Sequence, residues 1–335
     1  MRESRQTNLL RHFPARRSRF ALAGVVICLA LFPATSGTRA QSPEPIETIK
    51  IDTNLISVPV IVSDRDNHYI PNLKLELFRL FDNQIEQKIS YFDIGDEPLN
   101  VVLMLDTSLS TSGVLDDIKK AAKAFLKQLR PKDRAMIVTF DWQEQKLSTM
   151  TNNRRELESG IKEARVGKRP GTVLNDTLTD IATQVLQPIK GRKAIILLSD
   201  GNDRGSVVAP ENLLKAESEA DAMIYSIYYR PEFFRFLGPD PRPGHGPGRR
   251  GRRPFGTDGY DLMQQLAEVT GGRFYQGETK DLKDTFALIA EELRHQYRLG
   301  FYPDELKRDG SVHALQVKVN LPDVSVRARR EYLAK

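Results

Sequence analysis

The chain has 335 residues, 40% of them hydrophobic and 28% charged, a balance that suits one or two packed domains and excludes a disordered polymer. Its net charge of +6 comes entirely from the first forty residues, which hold seven Arg and one Glu; from Gln41 onward acids and bases cancel. A protein that binds a nucleic-acid backbone needs a lasting cationic surplus, so that class is excluded despite the basic isoelectric point.

Met1 to Arg19 is Arg-rich, Phe20 to Phe32 is an unbroken apolar run, and Thr38-Arg39-Ala40 ends on a small residue. That order predicts a secretory signal over residues 1–40. The run has thirteen residues, whereas a spanning helix needs about 20. A cleaved leader is therefore expected over an uncleaved anchor, and the product should be periplasmic or secreted with no transmembrane span. Cys28, the only cysteine, lies inside the leader, so the mature chain would form no disulfide.

A Pro/Glu linker over residues 41–47 is followed by a predicted β block, 48–97, with strands at Leu55 to Val62, Leu73 to Phe81 and Ile85 to Phe92, separated by Asp- and Asn-rich turns. From residue 98 to 295 strands and helices alternate. Strands are expected at Asn100 to Leu105, Ala135 to Phe140, Ala194 to Leu198 and Met223 to Tyr229. Helices are expected at Val114 to Leu129, Leu174 to Leu186, Glu211 to Ala222, Tyr260 to Val269 and Asp281 to His295. The alternation predicts an α/β domain, a mainly parallel sheet with helices on both faces. Residues 296–335 return to β, with Tyr297 to Tyr302, Ala314 to Val319 and Val324 to Arg329 as strands. Each β block is too small to bury a two-sided core alone, so the two should pack together as one sandwich.

Ligands of an open parallel sheet sit beyond the carboxyl ends of its strands. The strand Asn100 to Leu105 runs into Asp106-Thr107-Ser108-Leu109-Ser110, and Ala194 to Leu198 runs into Ser199-Asp200-Gly201-Asn202-Asp203; Gly171-Thr172 precedes a helix whose first turn carries Asp176. These are hard oxygen donors without His or Cys, which suits Mg²⁺ far better than zinc or copper. For any one of these sites alone a helix cap would be the better explanation; three at successive sheet edges favour a metal.

At these residues the sequence resembles the von Willebrand factor type A family, whose metal-ion-dependent adhesion site combines D-x-S-x-S, a later Thr and an Asp at the end of a central strand. Asp106, Ser108 and Ser110 fit the first element, Thr172 the second and Asp200 the third. The flanking blocks resemble the type A-related proteins widespread in Acidobacteria: Val62-Ser63-Asp64-Arg65-Asp66 and Asp82-Asn83-Gln84 precede the domain, and Gln296-Tyr297-Arg298-Leu299-Gly300-Phe301-Tyr302-Pro303 follows it. Asn83 stands where the family often has Gly. The resemblance implies a Rossmann-like domain with a small β-sandwich, a Mg²⁺ site in which Mn²⁺ or Ca²⁺ could substitute, and non-enzymatic adhesion to a protein that presents Asp or Glu as the last ligand. Asp203 and Asp176 are weaker candidates, acting behind the ligands or on the helix dipole.

The Gly/Pro-rich stretch 231–256 carries Arg235, Arg242, Arg249, Arg250, Arg252 and Arg253, and could pre-attract an anionic partner; a solvated insertion is the plainer reading. Trp142 is expected to pack under a loop. The histidines of the mature chain lack zinc spacing, and no G-x-S-x-G, Walker or G-x-G-x-x-G motif occurs. Rival readings are a Mg²⁺-dependent hydrolase or phosphatase and a structural envelope module that binds no metal. Oligomeric state is not legible.

Overall fold

β5 (Leu99–Asp106) is apolar at every position except Asn100 and its last residue, and all eight residues are buried. Such a strand must be covered on both faces. In the computed structural model, which describes residues 55–66, 68–229, 259–277, 281–303 and 309–334, it lies at the centre of a six-stranded sheet. The expected leader, the linker and the arginine-rich stretch 231–256 lie outside the described residues.

With β6 (Arg134–Phe140), β7 (Glu144–Lys146), β8 (Arg192–Ser199), β9 (Met223–Tyr229) and β10 (Arg273–Gly277), the sheet runs β10-β9-β8-β5-β6-β7. All neighbours are parallel except the β6–β7 pair. One face is covered by α1 (Leu115–Leu126), α2 (Arg154–Glu163) and the last helix, α6 (Leu282–Arg294), through Ile118, Phe125, Ile161, Phe286 and Ile289. The other is covered by α3 (Leu174–Asp180), α4 (Pro210–Ala220) and α5 (Gly259–Thr270), through Leu178, Leu213, Met263 and Leu266. In α1 the buried residues 115, 118, 121, 122, 125 and 126 form one stripe at helical spacing.

The helix expected from Leu174 to Leu186 is helical throughout but changes character: Ile181–Leu186 is a π-helical segment, with Gln187 N–H donating to Ala182 O five residues back at 2.9 Å. The sequence reading lacks β7, α2, β10 and β14 (Glu331–Leu333), and the strand it expects from Ile85 to Phe92 is two, β3 (Ile85–Gln87) and β4 (Tyr91–Asp93), in different sheets.

The flanking blocks form two four-stranded sheets. One has the order β13-β1-β11-β4, from β1 (Ile56–Ser63), β4 (Tyr91–Asp93), β11 (Tyr297–Phe301) and β13 (Ser325–Ala328). The other has the order β14-β12-β2-β3, from β2 (Phe78–Asp82), β3 (Ile85–Gln87) and β12 (Val312–Val319). Each sheet mixes strands from both ends of the chain, and between them lies a core of Val58, Val60, Phe78, Leu80, Tyr297, Leu299 and Phe301.

α6 joins the two bodies. Glu292, fully buried on it, accepts from Tyr69 Oη (2.8 Å) and Tyr225 Oη (3.1 Å), bonds Arg327 of β13, and lies 3.6 Å from Arg273 Nε. At the turn between α5 and β10, Gly271 has φ +77°, and a Cβ there would stand 2.5 Å from the backbone carbon of Ala328. Only glycine allows the turn to lie this close to the sandwich. Among the described residues no helix is long and apolar enough to cross a membrane.

Candidate metal centre

From β5 the chain moves to β6 on one side, then returns to place β8 against β5 on the other. The seam between β5 and β8 is therefore the topological switch point, where the connecting loops diverge and leave a crevice beyond the strand ends. Asp106 is the last residue of β5, and Asp200 directly follows β8. Chain topology alone thus brings the two acids together.

Asp106 is fully buried. Its Oδ1 accepts from Ser108 N–H at 2.8 Å and its Oδ2 from the Ser199 hydroxyl at 2.7 Å. Ser199 Oγ also accepts from Gly201 N–H at 3.0 Å. Burial, and next the charge of Asp200, push the Asp106 carboxyl up to about 6. Asp200 Oδ1 accepts from Asn202 N–H at 3.0 Å. Gly201 has φ +74°, and a Cβ would meet the backbone of Gly259 at 2.6 Å, so this turn requires glycine.

After Asp106 the chain bends into a 3₁₀ turn, Leu109–Thr111, tied by Thr111 N–H and Oγ1 to Ser108 O at 3.0 and 2.8 Å. The turn puts Ser108 Oγ 2.9 Å from Ser110 Oγ. Thr172, also buried, arrives on the loop before α3. Its carbonyl accepts from Arg204 N–H at 3.0 Å, and Val173 N–H donates to Asp141 O at 2.8 Å. This loop is thereby fastened to the loop after Asp200 on one side and to the end of β6 on the other.

Asp203 and Asp176 hold loops. Asp203 accepts from Asn175 N–H at 2.8 Å, Gly205 N–H at 3.2 Å and Ser206 N–H at 3.0 Å, joining the start of α3 to the β8 loop. Asp176 accepts from Val207 and Val208 N–H at 2.8–3.1 Å, so it is bound to a neighbouring loop besides standing in the first turn of α3. Arg249, Arg250, Arg252 and Arg253 lie outside the described residues.

Three further residues belong to this edge. Ser199 orients Asp106; its signal was its place beside Asp200. Tyr229, the last residue of β9, is fully buried and faces Ser110; burial, then the charges of Asp106 and Asp200, push its hydroxyl well above the usual tyrosine range. Asp141 is 1% exposed, accepts from Gln143 N–H at 3.1 Å, and is pushed up by burial. The expectation that Trp142 packs under a loop is corrected: its side chain is 38% exposed, with the Arg169 guanidinium 4.8 Å from the ring.

Two close carboxylates, one of them raised to about 6 by burial and then by the charge of the other, and a pair of touching hydroxyls form an oxygen-only cluster. That donor set fits a hard divalent cation, which would relieve the repulsion between Asp106 and Asp200. A separate group, Asp64, Asp66 and His68 in the turn after β1, has one potential ligand atom from each within 4.8 Å of the others. Its geometry is that of a capped turn: Asp64 Oδ1 accepts from Asp66 and His68 N–H at 2.9 and 2.8 Å.

Solved structures with a similar fold include BatB from Bacteroides thetaiotaomicron (19% identity, 59% of this chain and 97% of that chain, TM-score 0.43). A second is the vWF domain of the type V pili tip protein Mfa5 from Porphyromonas gingivalis (14%, 58% and 94%, TM-score 0.42). A third is proximal thread matrix protein 1 from the mussel byssus, solved with a zinc-occupied MIDAS motif (12%, 59% and 48%, TM-score 0.43); the match spans about half of that protein. No protein of curated function matches the sequence. Over residues 101–202, from the third residue of β5 past Asp200, the chain matches the family model of the von Willebrand factor type A domain.

Proposed function

We propose that the protein is an exported, divalent-cation-dependent binding module of the adhesion type, akin to the type A-related proteins of Acidobacteria, and that its site takes an acidic side chain from a protein partner. Asp106, Ser108, Ser110, Thr172 and Asp200 would hold the cation, Mg²⁺ by preference of the donors and Mn²⁺ or Ca²⁺ as substitutes. The cation would supply an electrophilic open position toward solvent. The observation that carries the reading is the meeting of Asp106, Ser199 and the Ser108–Ser110 hydroxyl pair at the switch point, joined by hydrogen bonds of 2.7–2.9 Å.

Hydroxyl donors neutralise a cation less than carboxylates would, which leaves it able to recruit an outside acid. The reading is of binding rather than turnover: Asp106 and Asp200 each accept from an N–H of their own loop, and Asp106 also from Ser199 at the end of β8. Of the described histidines, His68 and His313 belong to the sandwich and His295 to the end of α6.

Calorimetric titration of the mature chain with Mg²⁺ and Mn²⁺ tests it. Saturable binding, lost in Asp106→Ala and in Asp200→Asn while the variants stay folded, supports the reading; heats unaltered by both substitutions reject it.

A further inference from the structure

The loops that hold the site also present side chains around it. Gly167 N–H donates to Thr107 O at 2.8 Å, which brings the segment carrying Lys168 and Arg169 beside the residue that follows β5. Arg204 is placed by its N–H bond to Thr172 O. All three are exposed, and none has an ion-pair partner among the described residues. The acids beneath are covered or engaged: Asp106 and Asp200 are buried, and Asp176 and Asp203 accept from backbone N–H groups. Three exposed cations thus border an anionic floor.

The same rim is apolar at three points. Leu109, between the two site serines, is 48% exposed, Val207 on the β8 loop is 93% exposed, and Trp142 is 38% exposed. Trp142 is held rather than loose. Its Cβ lies 3.2 Å from where a Cβ on Gly171 would stand, next to Thr172, and Arg169 stacks on its ring. A fixed aromatic, half open to solvent and beside an arginine, has the make-up of an interface hot spot.

We propose that this rim takes an acidic peptide segment of particular composition: one carboxylate for the cation, an apolar side chain next to it against Leu109 and Trp142, and a second carboxylate for Lys168, Arg169 and Arg204. The assignment rests on the cation-dependent reading above and adds what the partner must carry besides its acid. It uses charge complementarity at close range, where rim cations change binding and its salt dependence.

The chain contains one tryptophan, so indole emission reports on Trp142 alone. The probe is the blocked heptapeptide Gly-Ser-Asp-Phe-Glu-Ser-Gly, with three relatives carrying Asn for Asp, Gly for Phe, or Gln for Glu. Each is titrated in Mg²⁺ into the mature chain and into the triple variant Lys168→Glu, Arg169→Glu, Arg204→Glu, whose Mg²⁺ affinity is measured separately by calorimetry. The expected result is a shift of Trp142 emission with the parent peptide and roughly fivefold weaker binding for each of the Gly and Gln relatives. Loss of binding is expected for the Asn relative, and about tenfold weaker parent binding in the triple variant, which keeps its Mg²⁺ affinity. The proposal is overturned, with the metal reading intact, if the wild type binds Mg²⁺ but not the parent peptide. It is equally overturned if the parent binds no better than its Gly and Gln relatives, or if the triple variant binds it as the wild type does. Absence of Mg²⁺ binding to the wild type rejects the metal reading, and this one with it.

Discussion

The hydroxyl of Ser199 donates to Asp106 Oδ2 at 2.7 Å, linking the last residue of β8 to the last residue of β5 across the switch point. Ser199 is fully buried and its oxygen also accepts from Gly201 N–H, so one side chain sets both the direction of Asp106 and the turn that carries Asp200. Groups that orient a metal ligand are worth about 10–100-fold in affinity. Ser199→Ala is therefore expected to weaken Mg²⁺ binding by about that factor and to lower stability by about 1 kcal/mol. Equal affinities for wild type and variant in calorimetry would show that Asp106 needs no such support.

Because Asp106 holds a proton up to about pH 6, a cation has to displace that proton at lower pH. Apparent Mg²⁺ affinity should be flat above about pH 7 and fall by up to about tenfold per pH unit below 6. Titrations at about pH 5, 6, 7 and 8 check this, and heats in buffers of different ionisation enthalpy count the proton released. A pH-independent affinity would contradict it.

Glu217 on α4 is 1% exposed, both its oxygens lack hydrogen-bond partners, and burial alone pushes its carboxyl up to about 8 from the ordinary 4.5. The folded chain keeps this proton to higher pH than the unfolded chain. Unfolding between about pH 4.5 and 8 therefore releases it, and stability falls as pH rises through that window. Glu217→Leu should remove this part of the pH dependence and gain on the order of 3 kcal/mol at about pH 8. Urea denaturation of both proteins at about pH 5 and pH 8 measures it; parallel losses of stability would count against Glu217 as the source.

Glu292 is fully buried among Tyr69, Tyr225, Arg273 and Arg327. Removing one partner of a buried charged group leaves the others uncompensated, at a cost of about 3–5 kcal/mol. Glu292→Ala should lower stability by that amount, with Glu292→Gln in between. Since the cluster joins α6 to β13, amide exchange should quicken in both elements together; faster exchange confined to α6 would mean that Glu292 does not couple them.

Much of this architecture is readable from the chain because a parallel strand covered on both faces has to be apolar throughout, as β5, β8 and β9 largely are. β7 is hidden in the sequence for the same reason in reverse: Glu144-Gln145-Lys146 has no apolar residue and is a strand only by its pairing with β6. α2, Arg-Arg-Glu-Leu-Glu-Ser-Gly-Ile-Lys-Glu, buries only Leu157, Gly160 and Ile161, too thin a stripe to stand out. β10 and β14 are five and three residues long.

At the site, Asp106, Ser108, Ser110 and Asp200 could be named from strand ends because topology fixes where strand ends meet. The cationic rim could not. Lys168 and Arg169 gain their meaning only when Gly167 bonds Thr107, a contact between segments far apart along the chain. Exposure of Trp142 likewise depends on which loop closes over it, and Gly171, which offers no side chain to do so, borders it instead.

The sandwich imposes an order on synthesis. β1 pairs on both sides with strands from beyond the central domain, Ile56 with Phe301 and Val60 with Ala328, so it waits for these partners while the whole central domain is translated. Closing so long a loop is slow unless its ends are already near each other. The central domain, once formed, supplies that nearness, since α6 leads into β11 almost without a linker and Gly95 at the other end contacts Arg130 and Arg192. Renaturation from denaturant should thus proceed from the middle of the gene product outward, with the two ends meeting in the final step.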